Sequence, residues 1–107
     1  MGTALVIRAA GEIDLVTADR LRTALATGFD DLHQGEILVI DLPEVTFLAS
    51  HGLEMLVDAT ETAQQRGELL RIVVGHNRSV IRPIQLTGLV DVLALFNTVE
   101  DAVQATT

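Results

Sequence analysis

Ser50 and His51 stand side by side in the segment Val45-Thr46-Phe47-Leu48-Ala49-Ser50-His51-Gly52-Leu53. A hydroxyl next to an imidazole is the raw material of a nucleophile and its base. Adjacent residues at a helix start point about 100° apart, however, and no orienting acid or Gly-x-Ser-x-Gly elbow accompanies this pair. Hydrolytic chemistry is therefore not expected. His33, His51 and His76 lie far apart on different expected loops, so their spacing makes no metal site. The chain has no cysteine, which excludes disulfides, thiolate zinc sites and thiol redox sensing. Taken alone, Ser50 suits the cap of a helix. Asp14 suits a turn or a cap, since its carboxylate readily accepts nearby backbone N–H groups, and Asp41 suits a turn closing a strand. Gly52 is harder to place. Glycine in a first helical turn costs up to about 1 kcal/mol relative to Ala, so tight packing or the close approach of another chain must offset it. Leu53, Met55 and Leu56 are expected mostly in the core, with one apolar side chain near the helix start left to face outward.

The hydrophobic pattern supplies the elements that would hold these residues. Thr3 to Arg8 is rich in β-branched residues and reads as a strand. Ala9-Ala10-Gly11 stops it, and Glu12 and Ile13 continue as a second, paired strand after a turn at Gly11. Thr17 is expected to cap a helix whose Leu21, Leu25 and Phe29 recur every four residues as one apolar stripe; Gly28 leaves its end open. After a turn at Gly35, Ile37-Leu38-Val39-Ile40 is a continuous apolar run, the mark of a strand buried on both faces. Asp41-Leu42-Pro43 should end it, because Pro43 has no N–H for a ladder. A second helix runs from about Ser50 to Arg66, with Leu53, Leu56, Val57, Thr60 and Ala63 at helical spacing and Gly67 as its stop. Leu70 to Val74 is a strand, broken at Gly75-His76-Asn77. Ser79 to Leu86 is a short helix around Pro83, closed by Gly88, and Leu93 to Phe96 is a last short strand. Val99 to Ala105 is a terminal helix, with Thr98 as cap and Glu100 and Asp101 in its first turn. Strands alternating with helices predict one α/β domain over residues 1–107. Its sheet is expected to be mixed and four- or five-stranded, with about four helices packed mainly on one face.

Bulk composition narrows the function classes. The 107 residues are 49% hydrophobic and 21% charged, which is globular rather than disordered. With three Phe and no Trp or Tyr, the core falls to Leu, Ile, Val and Ala. Seven basic against fifteen acidic residues give a formal charge of −8. That field repels phosphate backbones and anionic lipid, so neither nucleic acid nor a membrane is an expected partner, and a basic protein surface is. Arg8 and Glu12 interrupt the first stretch, unlike a signal peptide. No segment approaches the roughly 20 apolar residues of a bilayer span. A soluble, cytoplasmic protein is expected.

Four segments resemble the STAS family of anti-sigma factor antagonists, in order and in register over essentially the whole chain. They are Gly11-Glu12-Ile13-Asp14-Leu15-Val16-Thr17-Ala18; Val39-Ile40-Asp41-Leu42 with Val45 to Leu53; Leu86-Thr87-Gly88-Leu89; and Phe96-Asn97-Thr98-Val99-Glu100-Asp101-Ala102. The resemblance implies a STAS-like fold and a protein that binds rather than catalyses, with no cofactor and no metal. It implies an anti-sigma factor partner of the GHKL-type serine kinase fold, which the unphosphorylated antagonist captures so that a sigma factor is released. The kinase then phosphorylates one serine at the start of the second helix and the antagonist lets go. A PP2C-type phosphatase resets it. That serine falls on Ser50, two residues before Gly52-Leu53, and capping and phosphate acceptance remain compatible there. The resemblance also places Asp14 beside Ser50 and makes Asp14, Ala49, Ser50, His51, Gly52 and Leu53 the partner-binding set. Where this family usually has Asp before the acceptor and Ser or Thr after it, this chain has Ala49 and His51; where Ser often follows Asp-Leu, it has Pro43. His51 then suits a plain surface residue or a pH-sensitive partner contact. The alternative within the same fold is a phosphorylation-insensitive binding module of a stress-signalling or transport assembly.

Overall fold

The apolar run from Ile37 to Ile40 does lie at the centre of a sheet with helices on both faces, and Leu38, Val39 and Ile40 are fully buried. The computed structural model describes residues 4–105. Along them alternate β1 (Ala4–Ile13), α1 (Leu15–Asp31), β2 (Ile37–Leu48), α2 (Ser50–Arg66), β3 (Leu69–Val73), α3 (Arg78–Leu86), β4 (Leu95–Phe96) and α4 (Val99–Gln104). The strands lie side by side in chain order, β1-β2-β3-β4. Every pairing is parallel, where the sequence suggested a mixed sheet. The cause is Gly11. It does not turn the chain into a hairpin: its positive φ of 79° sits at an irregularity inside one continuous strand. Glu12 and Ile13 therefore extend β1, and the sheet loses its expected antiparallel pair. Thr3, the first residue of the expected strand, lies outside the described residues.

Parallel neighbours need crossovers, and α1, α2 and α3 supply them. All three bury their apolar stripes in one cluster on one face of the sheet. Leu21, Leu25 and Phe29 of α1, Leu53, Leu56 and Ala63 of α2, and Val80 and Ile84 of α3 meet Leu38, Ile40 and Ile72 there. Among the described residues α4 covers the other face, laying Ala102, Val99 and Val103 on Ile37, Val39 and Val73. The strand and helix numbers and the one-sided packing agree with the sequence expectation.

β2 does not stop at Pro43. It runs to Leu48 through two bulges against β1: Arg8 and Ala10 pair with Asp41 and Glu44, and Gly11 and Glu12 pair with Val45 and Phe47. Each bulge adds one residue to β2, so its core-facing positions run Leu38, Ile40, Leu42, then Val45 and Leu48. Pro43 is tolerated because β3 pairs only with Ile37 to Asp41, leaving β2 an open edge beyond that point. Asp41 is likewise not a turn residue. It is buried within β2, where its carboxylate accepts from Arg8 Nε at 3.1 Å.

The helix ends follow local chemistry. α1 starts at Leu15, two residues before the expected start at Thr17. Asp14 is the cap, and Thr17 completes a reciprocal capping box as the third helical residue. α2 ends where Gly67 adopts a left-handed conformation, φ 68°, as expected. α4 begins after Thr98, whose hydroxyl accepts from Asp101 N–H at 3.0 Å.

Candidate functional site

Asp14, Asn77 and Thr98 cap α1, α3 and α4 with their side chains, whereas α2 has no side-chain cap. Its N-cap position is Ala49, not Ser50, and alanine has nothing to offer a free N–H. Ser50 becomes the first helical residue. It is exposed, and among the described residues its hydroxyl makes no hydrogen bond. Ala49 O accepts from Gly52 N–H at 2.9 Å and Leu53 N–H at 3.2 Å. Among the described residues the N–H groups of Ser50 and His51 have no acceptor. Among the described residues, an unbonded hydroxyl and two free N–H donors thus share the positive end of a 17-residue helix.

The two strand ends bring the rest of the site together. Ile13 is in register with Leu48, and Ala49 N–H donates to Ile13 O at 2.9 Å, so Asp14 and Ala49 leave the sheet as neighbours. Asp14 Oδ1 accepts from Val16 N–H at 3.1 Å and Thr17 N–H at 3.0 Å. Thr17 Oγ1 accepts from Asp14 N–H at 2.8 Å and lies 2.8 Å from Glu12 O and 3.1 Å from Asp14 Oδ1, with one proton for either. These bonds favour the ionised form. The Thr17 N–H first, then the Thr17 hydroxyl, hold the Asp14 carboxyl below its ordinary 3.8. Asp14 Oδ2 makes no hydrogen bond among the described residues.

Gly52 lies beneath this surface. A Cβ there would stand 2.5 Å from Leu48 Cδ1 and 2.8 Å from Ile13 Cγ2. Packing on its own sheet is reason enough for the glycine: it lets the first turn of α2 rest on the ends of β1 and β2. Leu53, Met55 and Leu56 are buried. Within the expected partner-binding set, Ser50 and His51 are exposed, Asp14 and Ala49 are half-exposed, and Gly52 and Leu53 are covered. His33 and His76 do not join His51; His33 Nδ1 instead lies 3.0 Å from Glu36 Oε1.

Three residues around the site escaped the sequence reading. Leu15, Val16 and Phe47 are 57%, 60% and 53% exposed. One signal was available: Val16 falls on the side of α1 opposite its core stripe. Phe47 had none, because the bulge at Thr46 turns it outward where strict alternation from Val45 would place it inward.

A protein-family model for the STAS domain matches residues 2–102. The chain belongs to the STAS family. This STAS domain is 39% identical over 98 residues to the anti-sigma-F factor antagonist RsfB of Mycobacterium tuberculosis, covering 91% of this chain and 76% of that protein. It is 35% identical over 88 residues to an anti-sigma-B factor antagonist of Listeria monocytogenes, covering 82% and 75%. Among solved structures, an anti-sigma factor antagonist from Mycobacterium paratuberculosis matches with a TM-score of 0.81 at 36% identity, over 92% of this chain and 81% of that one. A sulfate transporter family protein from Wolinella succinogenes has the same fold, TM-score 0.74 at 18% identity, over 94% of this chain and 81% of that chain.

Proposed function

We infer that this STAS domain is an anti-sigma factor antagonist whose binding is switched off by phosphorylation of Ser50. The observation that carries the reading is the exposed, unbonded Ser50 hydroxyl at the uncapped start of α2. A kinase can reach it without unfolding anything. A phosphate there adds roughly −1.5 to −2 charges, and the free N–H groups and helix dipole favour it in the isolated domain. A docked partner changes the balance. Leu15, Val16 and Phe47 make the surround apolar, so a partner seated on them strips water from the dianion without replacing it. A penalty of about 2.8 kcal/mol lowers affinity roughly 100-fold. The partner is an anti-sigma factor of the GHKL-type serine kinase fold, a PP2C-type phosphatase reverses the modification, and the cycle runs in the bacterial cytoplasm. The domain acts by occupying its partner, not by catalysis. Asp14, Ala49, Ser50 and His51 form the contact surface, with Gly52 and Leu53 setting its height above the sheet.

Incubation with the Mycobacterium tuberculosis anti-sigma-F factor and Mg-ATP tests the reading. One phosphate should appear, mapped to Ser50, and a Ser50→Ala variant should take up none while binding at least as tightly. A stable complex with no phosphate transfer would instead support the phosphorylation-insensitive module.

A further inference from the structure

Ser50 also opens a shallow groove of about 500 Å³ along α2. Leu53, Glu54, Val57 and Asp58 line it from the helix, and Thr87 and Leu89 line it from the segment after α3. The groove combines an apolar floor with one sign of charge. Glu54 and Asp58 stand one helical turn apart on its α2 wall, both exposed, and no basic side chain lines it. Asp58 already accepts from Arg22 Nη1 at 2.8 Å across to α1, which leaves Glu54 as the groove carboxylate with no ion pair among the described residues. The Thr87 hydroxyl is spent on Pro83 O at 2.7 Å, so the far wall offers little polar chemistry. Beside that wall Leu86 is 73% exposed, the most exposed large apolar side chain among the described residues, and Val90 follows at 46%. Leu86 and Val90 thus flank, in sequence, the Thr87–Leu89 wall with exposed apolar side chains.

We propose that this groove is the second half of the partner-docking surface and receives an amphipathic basic segment of the anti-sigma factor. The inference rests on the antagonist reading above and extends it down α2. Continuity supports this occupant, since Ser50 belongs to both the switch site and the groove. Charge supports it too: an acidic wall on a chain of net charge −8 calls for Lys or Arg opposite Glu54. A second copy fits poorly, because it would bring the same carboxylates to face these ones. The apolar side chains of the segment lie along Leu53, Val57 and Leu89, with Leu86 closing over them.

Binding of the Mycobacterium tuberculosis anti-sigma-F factor to purified variants decides the matter. Leu86→Gln and Glu54→Gln change exposed side chains and leave the fold intact. Each should weaken the complex about 10-fold, and Glu54→Gln should also flatten the fall of the association rate with salt. Val6→Gln, on the opposite face of the sheet, should change nothing. If Leu15→Gln weakens binding while both groove variants bind like wild type, the groove is overturned and the antagonist reading stands. If the wild-type chain does not bind at all, both fall together. Self-association lost in Leu86→Gln without the anti-sigma factor would assign the groove to a second copy and overturn the proposal.

Discussion

Asp14 and Thr17 hold each other in place at the start of α1, and that small network carries a pH signature. The folded carboxyl titrates below its ordinary value of 3.8. The stability it contributes is therefore complete above that value and is lost as pH falls through the lower folded pKa. Asp14→Ala should lower the melting temperature at pH 7, and the gap from wild type should close as the pH drops well below 3.8. A gap that stays constant across that range would mean the carboxylate bonds are not its source. Gly52 makes a second residue-scale case. Gly52→Ala pushes a methyl into Leu48 and Ile13, where overpacking costs about 1–3 kcal/mol. It should also loosen the partner complex, because the first turn of α2 must lift to make room. Denaturant unfolding and affinity measured on one preparation would show both effects. Sequence reasoning rightly singled out this glycine yet left its reason open, since the contacts that explain it come from strands 39 and 4 residues away.

At the scale of elements, two polar side chains do the fastening. Arg71 is buried in β3, donates to Ala102 O at 2.6 Å and Ala105 O at 2.7 Å, and stacks its guanidinium 5.6 Å from the Phe96 ring centre. It thereby caps the C-terminus of α4. Arg71→Leu should cost about 2–3 kcal/mol and release α4 first, visible as early hydrogen exchange there. Partner binding should survive, because α4 lies on the face away from Ser50. Asn77 clamps the opposite side: its Nδ2 lies 3.0, 3.2 and 2.7 Å from Leu42 O, Pro43 O and Val45 O, with two N–H donors shared among them. These are backbone carbonyls that β3 no longer serves. Asn77→Ala should cost about 1–3 kcal/mol in urea unfolding by leaving them unpaired. The extent of α2 was legible, because Gly67 acts through local geometry and the apolar spacing of α2 is clean, but its cap was not: Ser50 suited that position and Ala49 occupies it. β1 and β2 were not. A bulge glycine and a turn glycine look alike in one sequence, and Pro43 signals a strand end only if both edges of the strand are paired.

Across the whole molecule, the parallel sheet directs the ends of β1 and β2 to one rim, and the candidate site around Ser50 lies on that rim. The crossovers α1 and α2 start there, so their first turns supply Asp14, Leu15, Val16, Ser50 and His51 to one surface. Helix–strand alternation was enough to read the α/β architecture. Strand direction was not, since it depended on how the backbone behaves at Gly11. The candidate site was half legible: its polar residues lie in motifs, whereas the exposed Leu15, Val16 and Phe47 around it depend on bulges and helix phase. The most direct measurement is the affinity of the anti-sigma factor for the domain before and after stoichiometric phosphorylation at Ser50, with thermal unfolding recorded alongside. The account requires affinity to fall about 100-fold with the melting temperature unchanged or raised. Equal affinity for the two forms, or a phosphorylated domain that no longer folds, would contradict it.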